Sequence, residues 1–426
     1  MKGFTSKIVH HDRAAGIEHG AVHKPVHNSV AFGYADARDL ANVFQGNVAG
    51  YTYGRQVNPT VDALESKITT MEQGLKTVCF ATGMAAIGTT IFALLRPGDH
   101  IVSSAFLFGN TNSLFNSFAA QGIEVTFVDA TDPVQVEAAI NERTRMVFVE
   151  TIANPRTQVT ALQEIGELCA ARKLIYVVDN TMTSPYLFQP GEVKASLVVN
   201  SLTKYIAGHG NALGGAITEM GQYDWADFDN IWDAYRNGDP QLWGITQIRK
   251  KGLRDFGAAL APDSAHHIAV GAETLALRQE RQCRTAQQLC EFLSSHDQVG
   301  HVYYPGLPDH AEHERAKALF RYPGALFSFE LDSSIDIWDW LNRLKIIINS
   351  TNLGDNRTLA IPVAHTIYFE MGAERRASMG IADSLIRISV GIGSSLIALT
   401  ILWRYPTPRL ASTVVAAATC MGVDKE

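Results

Sequence analysis

Paired cysteines, long apolar runs and an excess of positive charge are all missing from this 426-residue chain. Its five cysteines, Cys79, Cys169, Cys283, Cys290 and Cys420, are scattered, and no two stand in CxxC spacing. That pattern suggests neither a zinc ribbon nor a disulfide scaffold, and it fits buried thiols in a reducing compartment. Lysine and arginine total 36 against 43 acids, a net charge of −7 and a pI near 6.1. Nucleic-acid binding needs a basic face, so no nucleic-acid partner is expected. Met1 to Arg13 has no apolar signal core. The apolar stretch Ser395 to Trp403 is too short to span a bilayer. A cytoplasmic protein with no membrane partner is therefore expected. Fourteen histidines, including His266-His267 and His310-x-x-His313, never fall into an HExxH-type set, which argues against a hydrolytic metal centre. No repeat or low-complexity tract is present.

What the chain does have is apolar content, 46% against 19% charged, enough for a large core. Residues 1–60 are rich in Gly, His, Asn and Tyr with little periodicity, and they are expected to form an extended arm. From Val61 the pattern alternates helix and strand. Helical stretches are Asp62 to Gln73, Gly83 to Leu95, Thr111 to Gln121 and Leu162 to Arg172. Strand-like runs are Thr77 to Ala81, His100 to Ser103, Glu124 to Val128, Met146 to Glu150, Leu174 to Asp179 and Leu197 to Asn200. Such alternation predicts an α/β domain, residues 61–259, with a mostly parallel sheet covered by helices on both faces. Ligands in such sheets bind at the carboxyl ends of strands, where Glu150, Asp179 and the segment after Asn200 all fall. The polar stretch Gly221 to Pro240 reads as an insertion. Helical periodicity from Ala265 to Leu293 and a strand at Gly324 to Leu331 predict a smaller α+β domain over 260–392.

Three segments carry chemistry. Ser201-Leu202-Thr203-Lys204-Tyr205 follows an apolar strand and leads into Gly208-His209-Gly210 and Gly214-Gly215. A lysine amine there can form an imine with an aldehyde cofactor, and the hydroxyls can bind phosphate; taken alone, the segment reads better as a surface lysine after a strand. Asp179 ends a strand of five apolar residues, and a buried carboxylate needs a cationic or donor partner. A protonated pyridine nitrogen would serve, as would the backbone of a helix that Asp179 caps. Ala81-Thr82-Gly83-Met84-Ala85 joins strand to helix, a place where anions are favoured. It is not a Walker loop, because no GK[ST] follows.

Together these segments resemble the Cys/Met-metabolism family of pyridoxal-5′-phosphate (PLP) enzymes. The resemblance runs from Tyr51 to Ile392 and rests on YGRQVNPT (Tyr53 to Thr60), ATGMAAI (Ala81 to Ile87), ETIANP (Glu150 to Pro155), VVDNT (Val177 to Thr181), SLTKYIAGHG (Ser201 to Gly210) and LIRISVG (Leu385 to Gly391). It implies a PLP fold-type I architecture, like aspartate aminotransferase, and a homotetramer built from two catalytic dimers. By resemblance, Lys204 binds PLP and is catalytic, and Asp179 pairs with its ring nitrogen. Gly83, Met84, Ser201 and Thr203 would hold the phosphate. Tyr53 and Arg55 would reach the phosphate of a neighbouring subunit, with Tyr53 as a second proton carrier. Asn154 would lie near the ring hydroxyl, Phe108 would stack on the ring, Arg387 would clamp the substrate carboxylate, and Asn352 would be a further substrate-binding residue.

Three departures from the family pattern matter. Phe108 stands in Leu107-Phe108-Gly109-Asn110-Thr111 where relatives have tyrosine. It can stack but offers no hydroxyl, which weakens a γ-lyase. Asn352-Leu353-Gly354-Asp355, together with the insertion and Leu253 to Pro262 (LRDFGAALAP), resembles the O-acetylhomoserine sulfhydrylase branch. After Ile392 the chain loses the family's acidic ending, so residues 393–426 are expected to be a frameshifted or diverged tail, which resequencing would check. The expected activity is γ-replacement on an O-acyl-homoserine with sulfide or a thiol. The alternatives are cystathionine γ-synthase, a methionine or cystathionine γ-lyase, and a catalytically silent PLP-fold binding protein.

Overall fold

The computed structural model describes residues 3–14 and 16–393; the expected tail lies outside them from residue 394 onward. The chain forms two compact units. One comprises Met1–Glu280 and Tyr304–Gly324, the other Arg281–Tyr303 with Ala325 onward.

The first unit is built on a seven-stranded sheet. Its strands are β1 (Lys76–Phe80), β2 (His100–Ser104), β3 (Glu124–Val128), β4 (Thr144–Glu150), β5 (Ile175–Asp179), β6 (Leu197–Asn200) and β7 (Gly215–Glu219). The order across the sheet is β1-β7-β6-β5-β4-β2-β3. Strands β6 to β3 pair in parallel, and β7 runs antiparallel to both its neighbours. The sheet is therefore mostly parallel, with one reversed strand. Val78, Phe80, Ile101, Phe148, Val177 and Val199 belong to one buried apolar cluster on it. Apolar runs without alternation are what a sheet covered on both faces demands.

Local chemistry sets the flanking helices. Asn58 caps the helix Pro59–Glu72 by accepting the N–H groups of Thr60 (2.8 Å) and Val61 (3.4 Å), with Pro59 at its first position. Thr82 caps Gly83–Leu94 by accepting the Ala85 N–H at 3.0 Å. The first sixty residues are not extended throughout, as expected, but contain the helix Ala37–Gln45, capped by Asp36 and ended at Gly46 in the left-handed region (φ 79°). Strand β7 went unseen in the sequence because Gly214-Gly215 reads as part of a turn. A Cβ on Gly215 would stand 2.2 Å from the Thr82 carbonyl oxygen, so glycine is what lets β7 pass beside the Thr82–Gly83 junction. The polar insertion forms short 3-10 turns around Trp225, which is fully buried and donates its indole N–H to Glu219 Oε2 at 2.9 Å.

The second unit carries β8 (Val299–Tyr303), β9 (Leu326–Leu331), β10 (Ile348–Asn349), β11 (Leu359–Pro362) and β12 (Leu385–Ser389), ordered β10-β11-β12-β9-β8. All pairs are antiparallel except β10 with β11. No helix among the described residues is long and apolar enough to cross a membrane.

Candidate active site

Parallel pairing of β4 with β5 makes Glu150 and Asp179 register partners at the carboxyl ends of adjacent strands. Glu150 is buried, and its Oε1 accepts the Phe108 N–H at 2.7 Å. Asp179 is half-buried, and its Oδ1 accepts the Thr181 N–H at 2.9 Å. Burial, and then the nearby Asp179 charge, push the Glu150 carboxyl well above the usual carboxylate range. Burial likewise lifts Asp179, to about 6, against the Thr181 hydrogen bonds that lower it. Among the described residues neither carboxyl group forms an ion pair. Two acids side by side at a ligand-binding edge lack a cation, and a protonated pyridine nitrogen would supply one.

The next strand end supplies the rest. Thr181 Oγ1 accepts the Ser201 N–H at 2.7 Å, tying the turn after β5 to the segment after β6. A Cβ on Gly83 would stand 2.9 Å from Ser201 Cβ and 3.1 Å from its Oγ. The N-terminus of Gly83–Leu94 thus lies against Ser201 with no side chain between them. The first N–H groups of a helix have no intrahelical acceptor and favour an anion. These groups fit a phosphate. Thr203 is the exception in its present geometry: its Oγ1 accepts the Gly214 N–H at 3.0 Å and lies 3.3 Å from the Gly214 carbonyl. Met84 touches the neighbouring helix through the Thr111 hydroxyl, 3.9 Å from its sulfur.

Lys204 is half-buried and begins a tight turn, its N–H donating to Ser201 O (3.2 Å) and its carbonyl accepting from Gly208 (2.8 Å). That turn is clamped by Arg278, whose guanidinium donates to the carbonyls of Tyr205 (2.7 Å), Ile206 (3.0 Å) and Gly271 (2.8 Å). A Cβ on Gly208 (φ 71°) would meet Arg278 Nη1 at 2.0 Å. Asn154 is buried, and Phe108 is half-buried at the start of Gly109–Ala119.

The structure therefore brings Gly83, Asp179 and Ser201 together with the turn that starts at Lys204. It does not bring Tyr53 or Arg55 to them. Tyr53 is 41% exposed, and Arg55 donates to the Arg254 carbonyl and lies over the Tyr53 ring at 5.5 Å. In the second unit, Arg387 on β12 is buried, and its Nη2 donates to the carbonyls of Thr351 and Asn352, both at 2.9 Å. Sequence reasoning placed Glu150 at a strand end without a role and passed over Thr181 and Arg278. For Glu150 the signal was present: an acid closing a run of apolar residues, one strand before Asp179.

Fold and site together define a PLP-dependent enzyme of fold type I. The family model for "Cys/Met metabolism PLP-dependent enzyme" matches residues 5–395, and the chain belongs to that family. It is 36% identical to an L-methionine gamma-lyase of Fusobacterium nucleatum subsp. polymorphum, over 88% of this chain and 90% of that one. It is 32% identical to the O-acetyl-L-homoserine sulfhydrylase of Corynebacterium glutamicum, over 92% and 93%. A Campylobacter jejuni crystal structure carrying N′-pyridoxyl-lysine-5′-monophosphate superposes with a TM-score of 0.89 at 27% identity, covering 95% of this chain and 99% of its own.

Proposed function

We propose that the chain catalyses γ-replacement on an O-acyl-homoserine, joining sulfide or a thiol to the γ-carbon and releasing the carboxylate; with sulfide the product is homocysteine. Bound PLP supplies an electron sink for the pair left when the substrate's α-proton departs. Lys204 is assigned the cofactor aldehyde and then the proton: its amine takes the α-proton and later returns one. Asp179 holds the proton of the ring nitrogen. Ser201, Gly83 and Met84 bind the phosphate, with Thr203 joining if its hydroxyl turns from Gly214. Asn154 orients the ring hydroxyl, and the Phe108 ring stacks on the cofactor and keeps water from it. Arg387, beside Asn352, takes the substrate carboxylate. Tyr53 and Arg55, turned away from this chain's own site, are assigned to the phosphate site of a second copy in a homotetramer, with Tyr53 a further proton carrier.

The observation that carries this reading is Phe108. Its N–H is held by Glu150 at 2.7 Å, so an aromatic ring stands at this position while a hydroxyl is absent: a thiolate leaving methionine is helped by such a proton donor, whereas the carboxylate of an O-acyl-homoserine departs without one. Likeness to the Corynebacterium sulfhydrylase supports it. The higher identity to the Fusobacterium lyase favours a second reading, γ-elimination from methionine. Incubating the PLP-loaded protein with O-acetylhomoserine, with and without sulfide, separates them. Sulfide-dependent homocysteine is expected. Release of 2-oxobutyrate alone, from that substrate or from methionine, would overturn the replacement reading.

A further inference from the structure

We propose that Glu72 is a positioning residue of the cofactor site. Through Asn180 and Asn200 its carboxyl group sets the spacing of the strand ends that carry Asp179 and lead to Lys204. The inference rests on the assignment of those two residues to the cofactor, and not on which acyl donor or thiol is used.

Glu72 closes the helix Pro59–Glu72 and has no exposed surface. Asn180 Nδ2 donates to both its oxygens, at 3.1 and 3.4 Å, and Asn200 Nδ2 donates to Oε1 at 2.5 Å. Asn180 directly follows Asp179, and Asn200 directly precedes Ser201. One side chain from a distant helix thus ties β5 to β6 just beneath the residues that face the ligand edge. A branch extends the chain of contacts to β4. The Thr183 hydroxyl donates to Asn180 Oδ1 and lies 2.9 Å from Thr151 Oγ1, and Thr151 directly follows Glu150. All five residues are at most 1% exposed.

Stability alone does not account for this arrangement. Among the described residues Glu72 makes no ion pair, and a buried carboxyl group held only by amides is costly compared with apolar packing. Connected buried networks do rigidify what they join, and here they join three strand ends at one site. One further detail points to the state of Glu72. Asn200 Oδ1 is buried with no partner, while burial raises the Glu72 carboxyl to about 7. A protonated Glu72 can donate its O–H to that oxygen once the Asn200 amide turns over.

Glu72→Leu and Glu72→Gln, compared as holoenzymes, test the idea. Leucine keeps the volume and breaks both links. Glutamine keeps an acceptor and offers an N–H to Asn200, as a protonated acid would. For Glu72→Leu we expect an altered circular-dichroism band of bound PLP. We also expect a roughly tenfold weaker PLP affinity and a roughly tenfold lower kcat at a KM within about twofold of wild type. Glu72→Gln should restore the band and most of kcat. If Glu72→Leu does not fold, Asn200→Ala, which removes one link, should show the same spectral change. A wild-type band and kcat in Glu72→Leu or in Asn200→Ala, whatever its Tm, would overturn the proposal, as would Glu72→Gln behaving like Glu72→Leu. Borohydride reduction and peptide mapping of the wild type check the underlying assignment separately. PLP fixed to a lysine other than Lys204 would sink both, whereas a label on Lys204 with unaffected variants would sink only the role of Glu72.

Discussion

Replacing Gly83 with alanine should weaken PLP binding while leaving the apo-protein folded. The new Cβ would stand 2.9 Å from Ser201 Cβ, 3.1 Å from its Oγ and 3.2 Å from its Cα. Serine is too short to swing clear, and its backbone is held by Thr181 at 2.7 Å. Ser201 must therefore shift by a few tenths of an ångström, and its hydroxyl loses alignment with the phosphate. A hydrogen bond to a charged group contributes about 1.5–3 kcal/mol, so the PLP dissociation constant should rise roughly ten- to a hundredfold. In the apo-protein the packing strain, about 1–3 kcal/mol, is opposed by the better helix propensity of alanine, about 1 kcal/mol. The apo midpoint in urea should then move little, by the equivalent of at most about 2 kcal/mol. Titrating apo-protein with PLP by absorbance, beside urea unfolding of the same samples, measures both quantities. Unchanged affinity with an unchanged midpoint would show that this helix terminus does not face the phosphate. Lost affinity with a collapsed midpoint would mean the effect is global unfolding.

Three further outcomes follow from buried charge and from Phe108. Glu219 is fully buried and burial lifts its carboxyl to about 8. Because that folded value lies above the ordinary one, its contribution is present below about pH 4.5 and is lost as pH rises through about 8. Glu219→Gln should flatten the fall in Tm across that window, and an unchanged slope would contradict the assignment. Lys67 is 1% exposed between Asp12 (3.2 Å) and Glu273 (3.3 Å). Lys67→Ala strands two acids and should cost about 3–5 kcal/mol in urea unfolding; a loss below about 1 kcal/mol would mean that water already screens the cluster. Phe108→Tyr should raise 2-oxobutyrate release from methionine relative to homocysteine formation from O-acetylhomoserine, and a ratio equal to wild type would remove Phe108 as the determinant.

Local pattern made much of this protein readable in one dimension. The helix Leu162–Arg172 and the strands Glu124–Val128 and Leu197–Asn200 fall where periodicity placed them: the helix buries Leu162, Ile165 and Cys169 along one face, Leu197–Asn200 is buried throughout, and in Glu124–Val128 the half-buried Val125 and Phe127 alternate with polar residues. The helix Ala37–Gln45 was missed although Asp36 caps it and Leu40, Val43 and Phe44 recur at helical spacing, because it is a short stretch within residues otherwise rich in Gly, His and Asn. Strand β7 was missed because glycine reads as a turn until the strand's neighbour, Thr82, is known.

The sequence by itself determined the alternation of helix and strand, the acids at strand ends, the lysine in its hydroxyl-rich turn, and the family those motifs spell. These follow from short-range periodicity and residue chemistry. Only the tertiary structure decided who stands beside whom. It placed the reversed strand β7 between β1 and β6, set Glu150 in register with Asp179, and let Glu72 reach Asn180 and Asn200 from 108 and 128 residues away. Strand order and buried polar contacts are long-range pairings. They are selected by how the whole sheet buries its two faces and satisfies its hydrogen bonds, and no window along the chain contains that information.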